Sequence, residues 1–378
     1  MVSKRVYLDN SATTAMAPEV LSAMTPYLLS KYGNPSSIHF MGEEASAAVR
    51  KARGQVASSL NCYPSEITFT SGGTESDNLA VLGAMPGTGR RKFVTTAIEH
   101  SAVLEACAEL ERRGFETVMV GVDGDGLLRM EDLADAMDDD VGLVSVMAAN
   151  NVIGTVQDIR EAAKIAHEHG ALFHTDAVQA YGKMPLDMKA DGIDLLSASG
   201  HKIHGPKGAG FLYHRSGVEV TPQIFGGGQE AGLRSSTENV PGIVGMGAAS
   251  ELAVSSMKED ISAMIGIREE IIEGILTIQG AYLNGSRDRR ICNNAHFGFE
   301  GVSGKDVVLR LSDKGIAASA ESACSAGSSE PSHVLTAIGR SPREAMSALR
   351  ITISRYTTEK DAEALLEVLP GVIASLRA

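Results

Sequence analysis

Ala171-Leu172-Phe173-His174-Thr175-Asp176-Ala177-Val178-Gln179 is an apolar run that leads straight into a carboxylate. Similar short runs lie on both sides of it. Residues 66–70, 92–96, 117–120 and 143–147 precede it, and 193–197 and 210–213 follow it. Helical stretches fill the gaps between them. Short runs bounded by glycine and polar residues, with helices between, predict βαβ units. The expected fold class is therefore α/β, with a mostly parallel seven-stranded sheet flanked by helices. After Val240 the pattern changes. Met257, Ile261, Met264, Ile265, Arg268, Ile271, Ile272, Ile275 and Ile278 recur largely at spacings of three and four, which predicts one long amphipathic helix. Further strands and helices run on to Ala378. The boundary is expected near residue 250. Residues 16–250 would form a large ligand-binding domain, and residues 1–15 with 251–378 a smaller α/β domain.

At 378 residues and 43% hydrophobic content, the chain can bury a sizeable core. No run approaches the roughly 18 apolar residues of a membrane span. Met1-Val2-Ser3-Lys4-Arg5 leads into a short strand rather than a signal-peptide core, so a soluble, cytoplasmic protein is expected. The net charge of -13 opposes binding to phosphate backbones, so direct nucleic-acid binding is not expected. Cys62, Cys107, Cys292 and Cys324 form neither a C-x-x-C pair nor a zinc spacing. The first three read as small buried hydrophobes.

Ligands of parallel sheets collect at the C-terminal ends of the strands. Ser71-Gly72-Gly73-Thr74-Glu75 carries a strand into a helix start, where free N–H groups suit a phosphate or serve an ordinary cap. Asp176 needs a cationic partner, either a protonated ring nitrogen or a structural salt bridge. Lys202, in Ser199-Gly200-His201-Lys202-Ile203-His204-Gly205, is placed to form a Schiff base with an aldehyde. The histidines beside it could suggest a metal, but no acid or thiol set accompanies them at ligand spacing, and no metal is expected. His100, after Glu99, could stack on a ring, move protons or face solvent. Phosphate loop, acid, lysine and histidine together fit one ligand, pyridoxal 5'-phosphate (PLP).

The chain resembles the NifS/IscS-type cysteine desulfurases of the aminotransferase class V group, fold-type I PLP enzymes. The resemblance rests on Val6-Tyr7-Leu8-Asp9-Asn10-Ser11-Ala12-Thr13-Thr14 and Gly33-Asn34-Pro35-Ser36-Ser37-Ile38-His39. The motifs at residues 71–78, 99–103, 150–154, 174–179 and 199–208 follow in family order, ending with Ser322-Ala323-Cys324-Ser325 and Glu330-Pro331-Ser332-His333. It implies that Lys202 binds PLP covalently, Asp176 pairs with the pyridine nitrogen and Gln179 meets the phenolic oxygen. His100 would stack on the ring and shuttle protons. Gly73, Thr74, Ser199 and His201 would hold the phosphate, joined by Thr237 from a neighbouring subunit of a homodimer. Asn151 would touch both cofactor and substrate, Arg350 would grip the substrate carboxylate, and Asn34 would add a substrate contact. Cys324 would accept sulfur from L-cysteine as a persulfide, releasing L-alanine. The persulfide would pass to an acceptor protein such as an iron–sulfur scaffold, or to tRNA and cofactor thiolation. Cys324 could also serve as a transient iron–sulfur ligand through that persulfide. The alternatives are a selenocysteine lyase, another class V lyase or aminotransferase, and a silent scaffold on the same fold. A thiol in the Ser-Ala-Cys loop argues against amino transfer, and retention of Lys202, Asp176 and His100 argues against silence.

The chain departs from the family pattern at Val152, where glutamate is common, and at Ser236, where glycine is usual. It departs again at Glu321, three residues before Cys324. A carboxylate near the thiol disfavours the thiolate, so desulfuration is expected to have an alkaline optimum. Glu321→Gln should shift the pH–rate profile to lower pH; an unchanged profile would remove the carboxylate from the account.

Overall fold

The computed structural model describes residues 5–320 and 331–378. Glu321 and Cys324 lie outside the described residues. The strands in chain order are β1 (Val6–Tyr7), β2 (Ile67–Thr70), β3 (Lys92–Thr96), β4 (Glu116–Val120), β5 (Val141–Ser145) and β6 (Leu172–Asp176). There follow β7 (Leu195–Ser199), β8 (Gly210–His214), β9 (Ala281–Leu283), β10 (Asn294–Phe299), β11 (Ile316–Ala317) and β12 (Ala348–Thr352). Seven of them form one sheet in the order β2-β8-β7-β6-β5-β3-β4. Pairing is parallel from β7 through β4, while β8 runs antiparallel to both β7 and β2. The helices α1 (Pro18–Leu29), α2 (Phe40–Ser59), α3 (Gly73–Ala84), α4 (Ser101–Arg112), α5 (Met130–Ala136) and α6 (Ile159–Glu168) belong to this half of the chain.

The seven expected strands are all present, with ends that differ by up to two residues. One difference bears on chemistry: Asp176 is the last residue of β6 rather than a residue beyond it. The ladder runs on past the apolar stretch, with Val146 N–H donating to His174 O (3.1 Å) and Ala148 N–H to Asp176 O (2.9 Å). Backbone pairing, not side-chain polarity, sets where the strand stops.

Helices α7 (Val240–Ser255) and α8 (Met257–Leu276) follow, and α8 is the amphipathic helix that the spacing predicts. Residue 250 falls inside α7, so the change of texture lies within a helix, and the helix break comes at Ser256. Beyond it, β12-β10-β9 make an antiparallel sheet, and β11 pairs in parallel with the N-terminal β1. No helix among the described residues is long and apolar enough to cross a membrane.

Strand β6 is buried along nearly its whole length, so its polar side chains must find partners inside the sheet. His174 bridges three strands: Nδ1 meets Ser145 Oγ at 2.8 Å and Nε2 meets Ser197 Oγ at 3.0 Å. Burial drives this imidazole's pKa down to about 3, so it stays neutral.

At the opposite end of the sheet, the buried Asp194 carboxylate accepts from Phe173 N–H (2.8 Å), His167 Nε2 (2.8 Å) and Arg215 Nε (2.6 Å). Burial pushes its pKa up, but the bonds from His167, Phe173 and Arg215 outweigh that and hold it below the usual range. His167 is raised, chiefly by the same bond to Asp194. The Asp194 contribution is present above the unfolded-state carboxylate pKa and is lost as pH falls through the depressed folded value. The His167 contribution is present below the unfolded-state imidazole pKa and is lost as pH rises through the elevated folded value. Asp194→Asn should therefore lower stability by about 3 kcal/mol at pH 6, near the low end for a broken buried pair because both cations are partly exposed. Urea unfolding across pH should show that gap narrowing as Asp194 protonates; a gap independent of pH would contradict the assignment.

Candidate active site

The turn from β2 into α3 is built on Gly72, whose φ of 151° lies in a region reserved for glycine. Gly72 caps α3 without a side chain, and Ser76 N–H is the first to bond back, to Gly72 O at 3.1 Å. The preceding N–H groups of the first turn have no intrahelical acceptor and form an anion-binding end. Ser199, His201 and Lys207 stand around the same opening. At Gly73 a Cβ would lie 2.6 Å from Val178 Cγ2, so any side chain would force the helix start away from the β6 loop.

Asp176 projects from the end of β6, and one of its oxygens accepts from Val178 N–H at 2.8 Å. Burial holds its pKa above the usual carboxylate range, and His100, the Val178 bond and Lys202 only partly offset this. His100 is the N-cap of α4, where its Nδ1 accepts from Ala102 N–H at 3.1 Å. That bond leaves the proton of the neutral ring on Nε2. Lys202 closes the tight turn after β7, and its ammonium donates to the carbonyls of Ser11 and of Ala12 (2.9 Å). Gln179 Nε2 donates to the same Ser11 carbonyl at 3.1 Å. His201 meets Thr13 Oγ1 at 3.2 Å, and its pKa falls to about 4 through burial and the neighbouring lysines.

Arg350 comes from β12 and is almost fully buried. Its Nη1 donates to Asn151 O (2.9 Å) and its Nη2 to Asp9 Oδ1 (2.9 Å). Asp9 and the Asn151 backbone thus set the plane of the guanidinium.

Gly73, Thr74, His100, Asn151, Asp176, Gln179, Ser199, His201, Lys202 and Arg350 all line one cavity. Thr237 and Asn34 do not: both are exposed, and Asn34 Oδ1 accepts from Ser36 N–H at 2.9 Å. Ser236, beside Thr237, holds φ at 127°, a glycine conformation occupied by a serine. Val152 is buried against Ile98, Met147, Val334 and Leu335, where a glutamate would lack water.

Sequence reasoning missed Ser11, Ala12, Asp77, Met147 and Ala149, which also line the cavity. Ser11 and Ala12 act through backbone carbonyls, which no residue type announces. Asp77 lies within the glycine-pair motif, and its signal was a charged residue on the inward face of α3.

Among the described cysteines, burial raises Cys62 to about 12 and Cys292 to about 11 and also raises Cys107, so none is a thiolate near neutral pH. This leaves the nucleophile expected at Cys324, outside the described residues.

The cavity fits PLP. It offers an anion-binding helix start at one end, a buried carboxylate for a pyridine nitrogen at the other, and a lysine for the aldehyde between them. Residues 6–365 match the model of the aminotransferase class-V family. The chain is 47% identical to the cysteine desulfurase IscS of Methanosarcina thermophila, over 99% of this chain and 93% of that protein. Among solved structures, a NifS-like protein superposes with a TM-score of 0.93 at 39% identity, covering 99% of this chain and all of that one. A structure described as SspA in complex with cysteine gives 0.83 at 37% identity, over 93% of this chain and 100% of that chain. The chain belongs to the aminotransferase class-V family. Within it, the chain groups with the cysteine desulfurases.

Replacing Arg350 with lysine keeps the charge but loses the fork held by Asp9 and Asn151. Arg350→Lys should raise KM for L-cysteine at least about tenfold and leave the PLP absorbance unchanged. An unaltered KM would take the substrate carboxylate away from Arg350.

Proposed function

We propose that this cavity holds PLP and converts L-cysteine to L-alanine, with the sulfur moving to Cys324. The observation that carries the reading is the meeting of Lys202, Asp176, His100 and the start of α3 in one cavity, with Arg350 facing them from another sheet. Bound there, PLP supplies an electrophilic aldehyde and a ring that accepts electron density from the substrate Cα. Lys202 anchors the cofactor, leaving the Ser11 and Ala12 carbonyls, and afterwards carries a proton at Nζ to and from the substrate. His100 forms one wall and presents its Nε2 proton to the cavity. Asp176 accepts the pyridine N–H and keeps that proton in place. Arg350 and Asn151 hold the substrate carboxylate, which fixes the direction of the Cα–H bond.

In the sulfur step the Cys324 thiolate attacks the substrate sulfur. A new S–S bond forms as the substrate C–S bond breaks. The electron pair of the C–S bond stays with the former β-carbon, which takes up the proton that the Cys324 thiol had given up, giving alanine, and the enzyme keeps a persulfide. The overall change, cysteine plus thiol to alanine plus persulfide, is redox-balanced without another reactant.

A second subunit completes the reading. Ile38 (97% exposed) and Phe40 (79%) stand at the start of α2, and Phe225 (80%) lies in a segment tied to α2 by the 2.6 Å Arg53–Glu230 ion pair. Apolar side chains this exposed suit an interface between copies, and Asn34 and Thr237, also exposed, lie near Ile38 and Phe225 in sequence. A sulfur-acceptor protein and a cytoplasmic location complete the proposal.

The test is a turnover assay with L-cysteine and a reductant, tracking alanine and sulfide, with Cys324→Ala alongside. Equimolar products from the wild type, lost in the variant while PLP absorbance persists, are expected. A PLP-loaded wild type that makes no alanine would overturn the reading.

A further inference from the structure

Two buried carboxyl groups beside the cofactor end of the cavity are given no role by this mechanism. Asp77, in the first turns of α3, is 1% exposed, and Glu99, before α4, is 0% exposed. Asp77, Asp176 and His100 bring polar atoms within 4.8 Å of one another. Neither Asp77 nor Glu99 has a lysine or arginine ion-pair partner among the described residues. Asp77 Oδ1 has no hydrogen-bond partner and lies 3.7 Å from His174 Nε2, which is already engaged with Ser197 Oγ at 3.0 Å. Glu99 Oε1 accepts from Thr96 Oγ1 (2.7 Å) and Met147 N–H (2.9 Å), while its Oε2 has no partner.

Three ionised carboxylates cannot share a water-poor pocket in which His174 is neutral and the cationic influence, from His100 and Lys202, falls on Asp176. Of the three carboxyl groups, Asp176 is the one that faces the cationic side of the site, where His100 and Lys202 favour its charged form along with the Val178 N–H bond. Glu99 has a backbone N–H of its own, from Met147, but no cation beside it among the described residues. We propose that Asp77 and Glu99 are positioning residues kept as neutral acids, confining the single negative charge at this end of the cavity to Asp176. This rests on the PLP reading for its purpose, because a localised charge is what holds a proton on a pyridine nitrogen. The groups facing Asp77 are His174 and Asp176 from β6, Ser197 from β7, and Glu99 and His100 from the β3–α4 connection. Burial pushes Glu99 up to about 8 and Asp77 well above its usual range, in the same direction as the geometry.

Infrared difference spectroscopy of the holoenzyme and of the PLP-free protein at pH 7 tests this directly. A carboxylic-acid C=O band that shifts in heavy water is expected in both, reduced in Asp77→Asn and again in Glu99→Gln. Absence of such a band in the wild type overturns the proposal, whether or not either variant folds. Since the PLP-free protein is measured as well, this result does not depend on the PLP reading. Asn mimics a neutral acid, so Asp77→Asn should hold PLP within about threefold of wild-type affinity. It should also leave the pH titration of the cofactor's visible band in place. A tenfold or greater loss, one pKa unit in the cofactor's balance, would mean that Asp77 is ionised and would contradict the proposal.

Discussion

On the proposed function, one negative charge held on Asp176 at the buried end of β6 is the constraint around which the rest of the site is arranged. A carboxylate out of water is stable only with a cationic or hydrogen-bonding partner. Val178 N–H supplies part of that at 2.8 Å, and His100 and Lys202 add positive potential. In the proposed function the remainder comes from the protonated ring nitrogen of PLP. The strand that carries the charge is secured by His174, which bonds to the strands on both sides and fixes the depth of Asp176 in the sheet.

The N-terminal segment links this charge to the substrate side. Asn10 N–H and Nδ2 both bond to Thr352 O (3.1 and 2.8 Å), and Ser11 N–H bonds to Thr352 Oγ1 (2.9 Å). Asp9 orients Arg350 two residues away from that anchor, while Ser11 and Ala12 receive the Lys202 ammonium. A few consecutive residues therefore tie the lysine of one sheet to the arginine of another.

The strands of the large sheet were legible because each is a short apolar run between polar breaks, and α8 because its apolar positions keep helical spacing. The antiparallel turn of β8 was not, since Gly210–His214 reads the same in either direction. In the site, Lys202, Asp176 and His100 stood out as polar groups at strand ends. The Ser11 and Ala12 carbonyls carry no side-chain signature, and the burial of Asp77 is visible only once α3 is packed on the sheet. The boundary near residue 250 followed composition, whereas the helix break at Ser256 follows backbone geometry. Thr237 and Asn34 were given roles by the resemblance alone, and both are exposed and away from this cavity.

The most direct measurement of the central claim is the ¹⁵N NMR shift of isotopically labelled PLP bound to the wild type and to Asp176→Asn. A protonated pyridine nitrogen in the wild type, neutral in the variant at the same pH, is the predicted result. The same protonation state in both proteins would mean that Asp176 does not hold the charge on which this account depends.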